Sequence, residues 1–147
     1  MKKLMLIGPT GVGKTTLMQY LSGEKIDYLK TQQVIIDKQL IDTPGEFIEN
    51  VFYQNALITA SVDAKVVAFV QSLDRYQNFF PPFFATRFTR PVIGIITKSE
   101  LNEFQDKIEF IKKNLNNAGV KRIFVTSTYE NLGMKALETF LLLKLKK

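Results

Sequence analysis

The segment Gly8-Pro9-Thr10-Gly11-Val12-Gly13-Lys14-Thr15 constrains this chain more than any other. It fits the pattern G-x-x-x-x-G-K-[ST] and follows directly on the apolar run Leu4-Met5-Leu6-Ile7. A strand that runs into a glycine-rich turn, with a helix opening at the lysine, is the context that gives this pattern a mechanism. The first turn of such a helix leaves backbone N–H groups without intrahelical partners, and they carry partial positive charge. A polyphosphate suits such a place. Glycines let the main chain curl around it with no Cβ in the way. Lys14 reaches toward the outer phosphates, the Thr15 hydroxyl can ligate Mg²⁺, and Thr16 follows in the same first turn. An ordinary glycine-rich turn with an incidental lysine and threonine is the competing reading, and the strand and helix on either side argue against it.

Composition narrows the chemistry. The 147 residues suffice for one core, so residues 1–147 are read as a single domain. There is no cysteine and no histidine. Disulfides, thiolate metal sites and imidazole bases are therefore excluded. A metal here should be hard and oxygen-bound, which fits Mg²⁺. The net charge of +6 comes from 20 basic and 14 acidic residues, spread along the chain apart from Lys144, Lys146 and Lys147. Such a distribution disfavours nucleic-acid binding. The apolar run after Met1-Lys2-Lys3 stops at Gly8-Pro9, too short for a leader peptide, and no run reaches the roughly 18 apolar residues of a membrane span.

Along the chain, short apolar runs alternate with helical patterns. Leu4–Ile7, Val66–Val70, Val92–Ile96 and Arg122–Thr126 read as strands. Lys14–Ser22, Glu49–Asp63, Leu101–Ala118 and Gly133–Leu145 read as helices. Val34–Ile36 and Lys38–Ile41 read as an antiparallel pair around Asp37-Lys38. The expected fold is α/β with three layers: a mainly parallel central sheet with one antiparallel edge strand, covered by helices on both faces. The phenylalanines between Tyr76 and Arg90 fit a segment packed against the sheet. An exposed aromatic patch for a partner is the alternative.

Ligands of parallel sheets bind at the carboxyl ends of the strands. Three further loops fall there. Leu40-Ile41-Asp42-Thr43-Pro44-Gly45 puts an acid at a strand end, where its carboxylate can hold Mg²⁺ through water, and Gly45 offers a bare N–H to a terminal phosphate. Thr97-Lys98-Ser99-Glu100 and Val125-Thr126-Ser127-Thr128 end two later strands. Each is by itself an ordinary cap or turn. In this order they look like the base-reading loops of a GTP-binding domain.

The chain as a whole resembles a P-loop GTPase, small GTPase-like in size, of the translation-factor-like class. More narrowly it resembles the EutP/PduV family of accessory proteins of bacterial ethanolamine and propanediol utilisation. The narrower likeness rests on compact size, on Lys30-Thr31-Gln32 before the Asp42-Thr43-Pro44-Gly45-Glu46 run, and on Asn55-Ala56-Leu57-Ile58-Thr59 after it. The resemblance implies that Gly8 to Thr15 wrap the phosphates of GTP or GDP, with Lys14 on the β and γ groups. It implies Mg²⁺ held by Thr15 and Asp42, with Thr31 as the switch threonine or else a plain loop residue. It implies guanine read by Thr97, Lys98, Glu100, Ser127 and Thr128. Glu46 stands where a water-positioning glutamine is usual, and Glu100 where aspartate is usual. Slow intrinsic hydrolysis follows, on the order of 10⁻⁴ s⁻¹ without an activator. Arg75, Arg87 and Arg90 are candidates for an arginine acting in cis. The implied setting is cytoplasmic, beside a bacterial microcompartment whose shell or enzymes would supply the protein partner. Two other functions stay open: an ATP-dependent kinase of a short-chain acid such as acetate, and a non-catalytic interaction module that holds nucleotide as a structural ligand.

Overall fold

The computed structural model describes residues 4–21 and 40–145. Five strands form one sheet: β1 (Leu4–Ile7), β2 (Leu40–Asp42), β3 (Val66–Ser72), β4 (Val92–Thr97) and β5 (Arg122–Val125). Their order is β2-β1-β3-β4-β5, and every neighbouring pair is parallel. β1 and β3 are buried along their whole length, as expected of central strands with a layer on each face. The helices are α1 (Lys14–Leu21), α2 (Glu46–Glu49), α3 (Gln54–Ala60), α4 (Ile108–Asn117) and α5 (Met134–Leu145).

Alternation along β1 sorts the core into two halves. Leu4 and Leu6 pack with Leu17 of α1 and with Met134, Leu137 and Leu141 of α5. Met5 and Ile7 belong to the opposite cluster, with Leu57 of α3 and Ile111 and Leu115 of α4. Each such side chain contributes roughly 1.5–3 kcal/mol on full burial, before chain entropy is counted. This is the expected three-layer α/β arrangement. The aromatic segment packs into it. Phe80, Phe84 and Phe88 are buried around Phe69 of β3, with ring centroids 4.5, 5.5 and 5.7 Å away, while Phe83 is exposed.

Several expectations shift. The helix predicted over Glu49–Asp63 is four pieces, the last a 3₁₀ turn at Ser61–Asp63. α2 starts earlier, at Glu46, and the chain breaks at Asn50 (φ −127°, ψ 120°), whose side chain accepts from Phe52 N–H at 2.9 Å. That side chain offers the backbone an alternative to continuing the helix. A 3₁₀ turn at Val51–Tyr53 then leads into α3. In the predicted Leu101–Ala118 helix, Asn102–Lys107 is 3₁₀ with Phe104 off helical geometry (φ −116°, ψ 15°), and regular helix begins at Ile108. The apolar face survives, since Phe104 and Ile108 still pack on the core beside Ile111 and Leu115. The strand expected over Lys38–Ile41 runs over Leu40–Asp42 and pairs parallel with β1. Its proposed antiparallel neighbour, Val34–Ile36, lies outside the described residues.

Candidate functional site

With β2 on one side of β1 and β3 on the other, the strand order reverses at β1. The crevice beyond the carboxyl ends of strands at such a reversal is where doubly wound sheets take ligands. The loop after β1 is Gly8–Gly13. Gly11 and Gly13 stand at φ 85° and 92°, which a side chain would resist.

Donors from α1, from the loop after β3 and from the end of β4 hold this loop by its carbonyls. Lys14 Nζ donates to Gly8 O at 2.6 Å and to Pro9 O at 3.2 Å. Arg75 Nη1 donates to Thr10 O. Lys98 Nζ donates to Gly11 O at 3.0 Å, and Thr97 Oγ1 to Val12 O at 2.5 Å. A trans peptide sets C=O and N–H antiparallel, so tying the carbonyls this way turns the N–H groups of residues 10–13 in the opposite sense. Burial lowers the Lys14 pKa from its ordinary 10.5, while the carboxylates of Asp42, Glu49 and Glu46 oppose that fall.

A cavity of about 480 Å³ opens at the loop, lined by Lys14, Thr15, Asp42 and Gly45 among others. Asp42 ends β2 and pairs in register with Leu6, which brings its carboxylate beside the start of α1. Thr43 does not face the cavity freely; its hydroxyl donates to Leu6 O at 2.8 Å and fixes the turn. Gly45 meets the phosphate loop directly, because a Cβ there would collide with Thr10 Oγ1 and the Thr10 backbone. Glu46, exposed in the first turn of α2, does not line this cavity. Thr31 lies outside the described residues.

A second cavity of about 560 Å³ adjoins the first, sharing Gly13, Thr16 and Lys98 with it. Glu100, Thr128 and Tyr129 line its far end. Glu100 Oε1 accepts from Ser127 Oγ at 2.6 Å, and Ser127 Oγ accepts from Glu130 N–H at 3.0 Å. Ser127 is itself buried and braced by backbone bonds to Leu132 of 2.8 and 2.9 Å. Lys98 adopts a left-handed conformation (φ 62°), uncommon for a lysine and typical of a functional constraint. Its ammonium also pairs with Asp74 Oδ2 at 3.1 Å. Burial raises the Asp74 pKa, but the hydrogen bond from Ser72 and the Lys98 charge prevail and hold it below 3.8.

The residues singled out in the loops after β1, β2, β4 and β5 are thus brought to one edge, with Thr31 undescribed and Glu46 at the margin. Thr97 lines the second cavity, yet its hydroxyl is committed to the phosphate loop. Sequence reasoning missed Glu49, whose Oε2 accepts from Thr10 N–H at 2.8 Å. It also missed Asp74 and Tyr129. The one signal for Asp74 in the sequence was its place just after the predicted strand Val66–Val70, since ligands of parallel sheets sit at the carboxyl ends of strands.

The family described as "Ethanolamine utilisation - propanediol utilisation" (PduV-EutP) matches residues 1–143. The propanediol utilization protein PduV of Citrobacter freundii is 40% identical over 141 residues, 96% of this chain and 93% of that protein. The protein named "Probable acetate kinase EutP" of Escherichia coli (strain K12) is 32% identical over 103 residues, 69% of this chain and 65% of that protein. Among solved structures, the translation elongation factor SelB of Methanococcus maripaludis is similar in fold. Its TM-score is 0.60 at 17% identity, covering 99% of this chain and 33% of that one.

Proposed function

Because the chain belongs to the PduV-EutP family, we propose that it is a Mg²⁺-dependent GTP-binding protein with slow hydrolysis, acting as an accessory switch in propanediol or ethanolamine utilisation. The observation that carries the nucleotide reading is the pair of adjoining cavities. One has the phosphate loop and Asp42, and the other has Glu100 oriented by Ser127. Guanine presents two N–H donors on one edge, and a carboxylate fixed at one oxygen is the acceptor they need. The donors facing the phosphate end fit Mg²⁺. Thr15 offers a hydroxyl and Asp42 a carboxylate, both exposed hard oxygens lining the same cavity. The metal would neutralise charge on the outer phosphates. Lys14 would bind the phosphates, and Gly45, close against Thr10, would follow the terminal one.

A switch needs a surface whose placement depends on that contact. Val51 and Phe52, 78% and 89% exposed, follow α2 after Asn50, and Gly45 is the residue that caps the start of α2. They give a protein partner, a microcompartment shell protein or enzyme, an apolar face tied to the phosphate end. Among the described residues no helix is long and apolar enough to cross a membrane.

The name of the EutP relatives favours a second reading: transfer of the γ-phosphoryl group from ATP to a carboxylate oxygen of acetate, releasing ADP. One experiment separates the readings. Purified protein and its Lys14→Ala variant are titrated with fluorescent GDP and competed with GDP, GTP and ADP, with and without Mg²⁺. Acetyl phosphate formation is followed in parallel. The guanine reading expects GDP and GTP to compete far better than ADP, Mg²⁺ to strengthen GTP, and Lys14→Ala to lose both. Equal competition by ADP, or acetyl phosphate formed from ATP faster than GTP is hydrolysed, overturns it.

A further inference from the structure

The geometry points to Arg75 as this chain's own cation for the terminal phosphate, with Glu49 as the counter-ion that engages both Arg75 and the Thr10 amide in its place. The inference rests on the nucleotide reading above and adds a residue from the loop after β3.

Position comes first. β3 pairs with β1 in parallel, so the residues just beyond Ser72 lie beside the phosphate loop, at the reversal of strand order. The Arg75 backbone is pinned there. Its N–H donates to Ser72 O at 3.2 Å, and its C=O accepts from Gln71 Nε2 at 3.2 Å. The guanidinium lies over the Phe79 ring, 4.8 Å from its centroid. From that base the side chain reaches Thr10 O, and its Cδ lies 3.9 Å from where a Gly11 Cβ would be. Thr10 is the residue that Gly45 touches, so Arg75 stands at the end of the loop that the D-T-P-G segment approaches.

The second observation is Glu49. Its Oε2 accepts from Thr10 N–H at 2.8 Å and lies 3.8 Å from Arg75 Nη1. A carboxylate on a phosphate-loop amide sits where the loop offers positive charge, and a phosphate group arriving there meets like charge. Glu49 is the last residue of the four-residue α2, directly before the break at Asn50, and its exposed side chain can turn away without unpacking Ile48. Arg75 then faces the phosphate without a carboxylate partner. A guanidinium has five N–H donors in a planar fork that matches phosphate oxygens, so donors remain beyond the one on Thr10 O. The other two cations have fewer donors to spare: an ammonium has three, and Lys14 already gives two to Gly8 O and Pro9 O, and Lys98 two to Gly11 O and Asp74.

The test measures GTP and GDP affinities by displacement of fluorescent GDP from the full chain, for wild type, Arg75→Ala, Arg75→Lys and Glu49→Gln, with thermal melts as a fold check. Arg75→Ala is expected to weaken GTP about 10-fold or more, the worth of one charge-assisted hydrogen bond, with GDP changed less than about 3-fold. Arg75→Lys recovers part of the loss, and Glu49→Gln shifts the GTP:GDP ratio toward GTP. Equal weakening of both nucleotides by Arg75→Ala marks a purely structural residue and overturns the proposal, as does no effect on either. If Arg75→Ala does not fold, Arg75→Lys and Glu49→Gln decide by the same ratio. Wild type that binds neither nucleotide overturns the nucleotide reading and this inference with it. Normal wild-type binding with an unmoved ratio overturns the inference alone.

Discussion

Replacing Glu100 by glutamine tests base recognition with little change of shape. The Glu100 carboxylate is held at Oε1 by the Ser127 hydroxyl at 2.6 Å, and a glutamine oxygen can keep that bond. The other oxygen becomes an NH₂ group, a donor facing the two N–H donors of guanine. The replacement forfeits two charge-assisted hydrogen bonds, each worth about 1.5–3 kcal/mol. Their sum of roughly 3–6 kcal/mol corresponds to a loss of about 10²–10⁴-fold in GDP affinity, at about 1.4 kcal/mol per decade. ADP, which lacks those donors, should bind the variant as it binds the wild type. Competition against fluorescent GDP gives both constants in one assay, and the discriminating number is the GDP:ADP ratio. A ratio that moves less than about 5-fold means that Glu100 does not read guanine and that the extra methylene relative to aspartate has taken it out of reach.

Three further perturbations follow from the site. Lys14 has its folded-state pKa lowered by burial, so between that value and 10.5 the folded chain binds fewer protons at this residue than the unfolded one. Stability should therefore rise with pH through that window, and urea unfolding of wild type against Lys14→Met should show the rise only in wild type. Gly45→Ala drives a Cβ into Thr10 and should cost about 1–3 kcal/mol of stability as overpacking does, while abolishing any preference for GTP over GDP. Unchanged melting and an unchanged ratio would show that Gly45 and Thr10 can separate freely. Thr97→Val removes the buried donor to Val12 O and leaves that carbonyl unpaired, an expected cost of about 1–3 kcal/mol with GDP and GTP weakened alike. A selective loss of guanine over adenine nucleotides would instead place Thr97 on the base.

The phosphate loop, the acid at the end of β2 and the placing of Glu100 and Ser127 in loops after β4 and β5 were legible because each combines residue type with a strand end, while the bond between Glu100 and Ser127 was not. Periodicity also delivered the apolar face of Phe104, Ile108, Ile111 and Leu115, although the backbone under it changes from 3₁₀ to α at Ile108. What periodicity does not register is a local competitor such as the Asn50 side chain, which interrupts the helix while the apolar pattern runs on. The role of Thr97 was hidden for another reason. A residue at a strand end borders two loops, and only its rotamer decides that the hydroxyl goes to Val12 O. Glu49 and Asp74 belong to no motif. Their contacts depend on the order of strands in the sheet, which spacing along the chain does not contain.

That order explains why the site is electrostatically balanced rather than simply positive. Parallel strands deliver the ends of β1, β3 and β4 to one edge, and with them Arg75 and Lys98 beside Lys14. Each of these cations already has a main-chain acceptor in the phosphate loop. Each also has carboxylates nearby: Glu49 beside Arg75, Asp74 on Lys98, and Asp42, Glu46 and Glu49 acting on Lys14. A phosphate must compete with those acceptors, so its affinity is a difference between two sets of bonds. Substituting any of the three cations therefore alters the loop and the ligand contact together. Diphosphate and triphosphate share the loop but differ in the terminal group, so their ratio cancels the part due to loop geometry. What remains is the contact made at Thr10 and Gly45, where the proposed switch would feel its trigger.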